Sequence, residues 1–247
     1  MRGGPGSASF SGTAPWLWTI LALASCAPPP PSPPSPPEPR AQPSAGAHPG
    51  ATAGPSAQES GEAGTIERAD DGDTVTLDGG RQVRYLGIDT PERGEPHADT
   101  AKEMNRKLVA GKTVRLRRKG PDDTDRHGRL LRAVYVDEPG GETPVCVNVA
   151  LVKAGLAIAY VARDDALDAA FLRELLEAQS EAIDARRNLW RDILEAAGSA
   201  RNLVSSRWRI HRESCAEIEG RRLRPVSSVE RELRSGKSPC RSCNPLR

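Results

Sequence analysis

Polar and apolar residues alternate through four short stretches of this chain: Thr74–Leu77, Gln82–Ile88, Thr113–Arg117 and Leu130–Val136. A two-residue period puts one face of each stretch toward a core, which is the mark of a half-buried strand. Thr65–Ala69 starts a fifth strand, and the compact region is expected to begin near Thr65. The turn Asp70-Asp71-Gly72-Asp73 follows, with Gly72 expected to supply a positive φ. Asp78-Gly79-Gly80 reads as a hairpin turn, and Pro91 stops the strand after it. The period then lengthens. Ala101, Met104, Leu108 and Val109 share one face of a helix expected from an Asp99 cap to Ala110, ended by Gly111. Val147–Lys153 reads as a second helix closing at Gly155. A third is expected from Asp164 or Asp165 to about Arg187, with Leu167, Phe171, Leu172, Leu175, Ala178 and Ile183 as its stripe. The pattern is mainly β with α: five strands in a small closed barrel flanked by three helices. Tyr85, Leu86 and Ile88 read as barrel wall, Phe171, Leu175 and Trp190 as helix–barrel packing, and Cys146 as a buried small hydrophobe.

The N-terminal quarter carries no such pattern. Residues 27–55 hold 12 of the chain's 22 prolines. Such a segment buries too little apolar surface to offset ordering, so it reads as an extended tether. Before it, Arg2 precedes the apolar run from Trp16 to Ala24. That run is shorter than the roughly 20 residues a membrane-spanning helix needs. It has the layout of a signal peptide. Leu23-Ala24-Ser25-Cys26 resembles a bacterial lipobox, which implies a lipidated Cys26 and a membrane-anchored lipoprotein; ordinary secretion is the alternative. The expected organisation is a signal peptide at 1–25, a tether at 26–63, a barrel domain at 64–198 and a small module at 205–247.

Charge sharpens this division. Of the 247 residues, the segment 64–198 holds 21 Lys and Arg against 25 Asp and Glu, a balance of −4. The segment 199–247 holds 12 against 5, a balance of +7. A basic tail attracts a polyanion such as nucleic acid, or merely keeps a surface soluble.

The candidate chemistry falls at strand ends and turns. Asp73 lies in DGDTVTL, Arg84, Asp89 and Glu92 in VRYLGIDTPE, and Arg129 in DRHGR. Paired carboxylates repel one another unless a cation sits between them, and calcium prefers oxygen ligands at about 2.3–2.6 Å. Guanidinium forks suit the equatorial oxygens of a phosphodiester in its transition state better than an ammonium does. Each residue also has a structural reading: Asp73 and Asp89 as turn residues, Arg84 paired with Glu92, Arg129 as an exposed loop residue.

The ordered set DGDT at 71–74, Arg84, IDTPE at 88–92, TDRHGR at 124–129 and VNVALVKAGLAIAY at 147–160 resembles the staphylococcal nuclease (thermonuclease) family. The resemblance covers residues 65–195. It implies an OB-fold barrel and a calcium-dependent nuclease acting on DNA and RNA. It further implies Asp73, Asp89 and the Thr90 carbonyl as calcium ligands, Arg84 and Arg129 as phosphate clamps, and Glu92 as the residue that orients water. Tyr160 would stack a base, and Arg126 and His127 would touch backbone phosphate. Two departures stand out. The loop Arg93–His97 is short, and Ala162 stands where a second stacking aromatic is expected. A monomer is expected, and a non-catalytic binding module is the rival reading.

The last forty residues carry His211, Cys215, Cys240 and Cys243, with Ser227-Ser228-Val229-Glu230 as a helix-start box. One imidazole and three thiolates make a tetrahedral zinc set, and so small a core needs a staple. The string resembles the Ada-type metal-binding module. A disulfide from Cys215 to Cys240 or Cys243 is the alternative in an exported protein.

Overall fold

The computed structural model describes residues 61–138, 140–161 and 167–246. The expected signal segment, Cys26, the tether, Ala162 and the expected start of the third helix at Asp164 or Asp165 lie outside these residues.

Eight residues form β1 (Glu62–Ala69), and the strand begins three residues before the apolar alternation does. Its register slips between Ile66 and Arg68. That irregularity bends the strand, so its first half pairs with β5 and its second with β2. The hairpin β2 (Thr74–Leu77) and β3 (Gln82–Tyr85) turns at Gly79 and Gly80, both at positive φ as the sequence requires. The run expected to continue to Ile88 instead breaks at Gly87 and resumes as β4 (Ile88–Asp89). Gly87 has φ +75°, and a Cβ there would meet Leu175 at 2.8 Å. Helix α1 (Ala98–Val109) follows, then β5 (Thr113–Arg117), β6 (Leu130–Val136), β7 (Val145–Cys146), α2 (Val147–Lys153) and β8 (Ile158–Ala159).

The strand order β3-β2-β1-β5-β6 closes on itself through a parallel β3–β6 pairing, which makes the expected five-stranded mixed barrel. Its interior holds Ile66, Val75, Leu77, Val83, Tyr85, Val114, Leu116 and Val134, all nearly or wholly buried. Asn148, fully buried on α2, ties the barrel to that helix. Its Oδ1 accepts from the Val134 N–H at 2.9 Å, and its Nδ2 donates to the Leu86 carbonyl at 2.9 Å.

Two expected details differ. Asp99 lies within the first turn of α1, and the cap position is His97 at φ 68° with no side-chain cap bond. The third helix, α3 (Ala169–Asp184), is capped by Asp168, whose carboxylate accepts from the Phe171 N–H at 2.9 Å. Phe171 and Leu175 pack on the barrel as expected. Trp190 does not. It sits on a separate helix, α4 (Leu189–Ser199), in a second cluster with Ile183, Leu203, Ile210, Leu233 and Leu246. Cys146 is half-buried, and burial pushes its thiol up to about 11.

The C-terminal residues form β9 (Leu203–Ser205), β10 (Arg209–Arg212), β11 (Arg224–Pro225), α5 (Val229–Arg234) and β12 (Ser238–Pro239), in the order β11-β9-β10-β12. Ser228 caps α5 through the Arg231 N–H at 3.2 Å. Gln179 of α3, fully buried, accepts from Ala159 N–H at 2.7 Å and donates to the Leu233 carbonyl at 2.7 Å. One side chain thereby links β8, which pairs with β4, to α5.

Candidate active site and a His/Cys cluster

The turn between β1 and β2 carries the first acids. Gly72 is needed there, though not for a positive φ: a Cβ would meet Thr90 Oγ1 at 2.7 Å and Ala101 Cβ at 2.9 Å. The turn is therefore pressed between the β4 exit and α1. A buried relay fixes it further. The Tyr85 hydroxyl donates to Asn105 Oδ1 at 2.8 Å, and Asn105 Nδ2 donates to the Asp71 carbonyl at 2.9 Å.

Asp73 Oδ2 accepts from both the N–H and the hydroxyl of Thr90, each at 2.8 Å. Its Oδ1 lies 3.1 Å from Arg84 Nε. Arg84 Nη2 donates to Asp89 Oδ1 at 3.1 Å, so both aspartates grip the same guanidinium. Arg84 is paired with these two acids rather than with Glu92. Its Nη1 donates to the carbonyls of Tyr85 (2.7 Å) and Ile88 (2.8 Å). Of five N–H donors, only one on Nη2 is then left for a phosphate oxygen. Arg129 is less committed. Asp125 holds it through Nε (2.7 Å) and Nη2 (2.6 Å), and its Nη1 lies 3.5 Å from Thr74 Oγ1.

Asp73, Arg84, Asp89, Thr90, Glu92, Arg126, His127, Arg129 and Tyr160 all line one cleft of about 610 Å³. Sequence positions 73 to 160 thus converge on a single wall. Asp71 lines it too. Burial, then the neighbouring Asp73 charge, raises the Asp71 carboxyl above its ordinary value despite the Asp73 N–H and Arg84.

Four residues of this site were not picked out from the sequence. Asp71 was visible in DGDT but read as turn. Asp125 lies in the TDRHGR string, and only the fold reveals it as the holder of Arg129. Arg209 comes from β10 and Arg241 from the turn after β12. The Arg209 guanidinium lies 4.0 Å over the Tyr160 ring and donates to the Val161 carbonyl at 3.2 Å. Arg241 donates through Nε to Asp89 Oδ2 at 2.9 Å and through Nη2 to the Thr90 carbonyl at 3.0 Å, and pairs with Glu92. No local sequence signal sets Arg241 apart, beyond its place between Cys240 and Cys243.

The second constellation is the His/Cys set. The ligand atoms of His211, Cys215, Cys240 and Cys243 all lie within 4.8 Å of one another. Cys215 Sγ and Cys240 Sγ are 3.9 Å apart. A disulfide needs about 2.05 Å, while a tetrahedral ion with Zn–S bonds of about 2.3 Å sets sulfurs about 3.8 Å apart. His211 Nδ1 is buried with no hydrogen-bond partner among the described residues, and Nε2 lies 3.3 Å from Ser206 Oγ. Burial, helped by Arg221 and Arg209, lowers His211 and keeps the ring neutral, as a metal requires. Burial resists ionising Cys240, but the N–H donors of Cys243 and Ser242 outweigh it and lower the thiol. Burial and the Cys240 charge push Cys243 up to about 12.

The fold and site define an OB-type barrel protein with an acid- and arginine-lined cleft. The sequence model described as staphylococcal nuclease homologue matches residues 82–192. The thermonuclease of Staphylococcus intermedius is 32% identical over 147 residues, 55% of this chain and 80% of that protein. Two Bacillus subtilis proteins are also similar. The SPbeta prophage-derived endonuclease YokF is 35% identical over 136 residues, covering 51% of this chain and 43% of its own length. Endonuclease YncB is 39% identical over 107 residues, covering 39% and 48%. The chain belongs to the staphylococcal nuclease family, and it spans less than half the length of these two endonucleases.

Proposed function

We propose that the chain is a calcium-dependent phosphodiesterase, an endonuclease that hydrolyses DNA and RNA with little sequence preference and leaves 3′-phosphate ends. The observation behind this reading is the convergence of four carboxylates (Asp71, Asp73, Asp89 and Glu92), Thr90 and the guanidiniums of Arg84 and Arg129 on one cleft wall. The oxygen set fits a hard cation, because a cationic group already docks there: Arg241 takes Asp89, the Thr90 carbonyl and Glu92. Asp73, Asp89 and the Thr90 carbonyl would hold calcium, which supplies a positive centre for a phosphate oxygen when bound.

Arg129 grips the phosphodiester with its uncommitted donors, and Arg84 adds its one remaining N–H. These bonds aid catalysis to the extent that they tighten as charge builds on the equatorial oxygens. Asp125 holds Arg129 in position. Glu92, exposed at the cleft rim, orients water opposite the leaving 5′ oxygen. Tyr160 stacks a base, while Arg126 and His127 touch the backbone. Contacts to backbone and to a base face carry little sequence information, which gives low specificity.

Zinc at His211, Cys215, Cys240 and Cys243 would staple the C-terminal strands, as in the Ada-type module. Export with anchoring at a lipidated Cys26 is proposed from the sequence alone. A non-catalytic nucleic-acid-binding module is the second reading, and one observation favours it: Arg241 fills the oxygen set. Cleavage of single- and double-stranded DNA in rising calcium, then in EGTA, separates the two. Activity that follows calcium and is lost in Arg129→Ala supports the nuclease; binding without cleavage at any calcium concentration supports the module.

A further inference from the structure

Arg241 sits in the turn between two members of the His/Cys set, Cys240 and Cys243. Its guanidinium binds both oxygens of Asp89, with Nε 2.9 Å from Oδ2 and Nη2 2.7 Å from Oδ1. Nη2 also reaches the Thr90 carbonyl at 3.0 Å, and Nη1 pairs with Glu92. These are the oxygens assigned above to calcium and to the oriented water. A cation bonded to Asp89 and Thr90 at about 2.3–2.6 Å would stand where the guanidinium stands. Two positive groups cannot share that position.

We propose that Arg241 is an internal competitor for the divalent cation, docked on Asp89, the Thr90 carbonyl and Glu92 by the turn that joins Cys240 to Cys243. The proposal rests on the cation reading of those oxygens. Cation uptake then requires Arg241 to withdraw, and withdrawal also releases Glu92 for water. A second contact joins the same C-terminal region to the cleft: Arg209, on β10, covers a face of Tyr160 at 4.0 Å. The strands behind both arginines are not a loose tail. Ile210, Leu233 and Leu246 are buried against Trp190, Ala182 and Ile183. The Arg241 side chain is 47% exposed, so it can swing toward solvent without unpacking that cluster.

A competitor docked nine-tenths of the time weakens apparent calcium affinity about tenfold. Calorimetric titration of the full chain, with its His/Cys metal retained, measures this without any turnover. Four proteins are compared: the natural chain, Arg241→Gln, Arg241→Lys, and Arg93→Gln as an equal loss of charge at an exposed neighbour of Glu92. Thermal melts establish that each is folded. Arg241→Gln is expected to bind calcium at least about tenfold more tightly than the natural chain. Arg241→Lys, without the fork, is expected between the two, and Arg93→Gln near the natural value. Equal or weaker binding in Arg241→Gln overturns the proposal, as does an equal gain in Arg93→Gln. Calcium uptake by none of the four removes the cation site itself, and the competition with it.

Discussion

Arg84 is the most informative single position for stability. Its side chain is 16% exposed and neutralises Asp73 and Asp89, which are 7% and 19% exposed. It also satisfies the Tyr85 and Ile88 carbonyls. Arg84→Ala leaves two aspartates facing each other beside two unpaired carbonyls. Removing one partner of a buried ion pair costs about 3–5 kcal/mol. Asp89 keeps Arg241 and the cleft admits solvent, so the lower end applies, about 3 kcal/mol. With a urea m-value of about 2 kcal/mol per M, the unfolding midpoint falls by about 1.5 M. Calcium should narrow the gap, because an ion between Asp73 and Asp89 replaces the lost charge and adds binding energy to the folded state. Urea titrations of both proteins in EGTA and in calcium make the comparison. A loss below about 0.5 kcal/mol in EGTA would refute the reasoning, since the carboxylates would then not depend on that guanidinium. So would a gap that calcium leaves unchanged.

Asp125→Asn should cut turnover about tenfold or more by loosening Arg129, with substrate binding changed less; steady-state kinetics separates the two. The Asp125 carboxyl is partly buried, which opposes ionisation, but Arg129 and two backbone N–H donors lower it on balance. Its stabilisation is therefore present above the unfolded value of about 3.9 and is lost as pH falls through the lower folded value. Protease nicking of the 124–129 loop should rise in that acid window and not near neutrality. Gln179→Ala strands the Ala159 N–H and the Leu233 carbonyl in a buried site, so about 2–3 kcal/mol of stability should go, read by denaturant midpoint. If the His/Cys set holds the proposed metal, a strong chelator should expose Trp190, which is fully buried against Leu203, Ile210 and Leu233. Acrylamide quenching in a background with Trp16, Trp18 and Trp208 each changed to Phe, which leaves Trp190 as the one tryptophan, would rise; unchanged quenching would argue against a structural metal.

The barrel was legible because its strands follow a two-residue alternation that burial enforces, and Gly79-Gly80 accepts the positive φ that a tight hairpin turn requires. Trp190 was misplaced for a physical reason. Its apolar character announces burial but not the partner, and its partners Leu203, Ile210, Leu233 and Leu246 lie in two short strands, a six-residue helix and a terminal turn, none long enough to carry a period. The Gly72 expectation failed similarly: glycine signals either backbone freedom or close approach, and only the packing of Thr90 and Ala101 distinguishes them. Asp73, Arg84 and Asp89 were readable because strand ends and turns are local. Arg241 was not, since its contact with Asp89 spans 152 positions and depends on how the His/Cys turn docks.

The account stands on a hard cation at the Asp89 carboxylate and the Thr90 carbonyl. Anomalous diffraction from a calcium-soaked crystal of residues 60–247 locates it directly. The predicted result is one peak about 2.3–2.6 Å from those oxygens, with the Arg241 guanidinium moved away. Cleaving protein whose crystals show no peak there, with Arg241 still on Asp89, would contradict it.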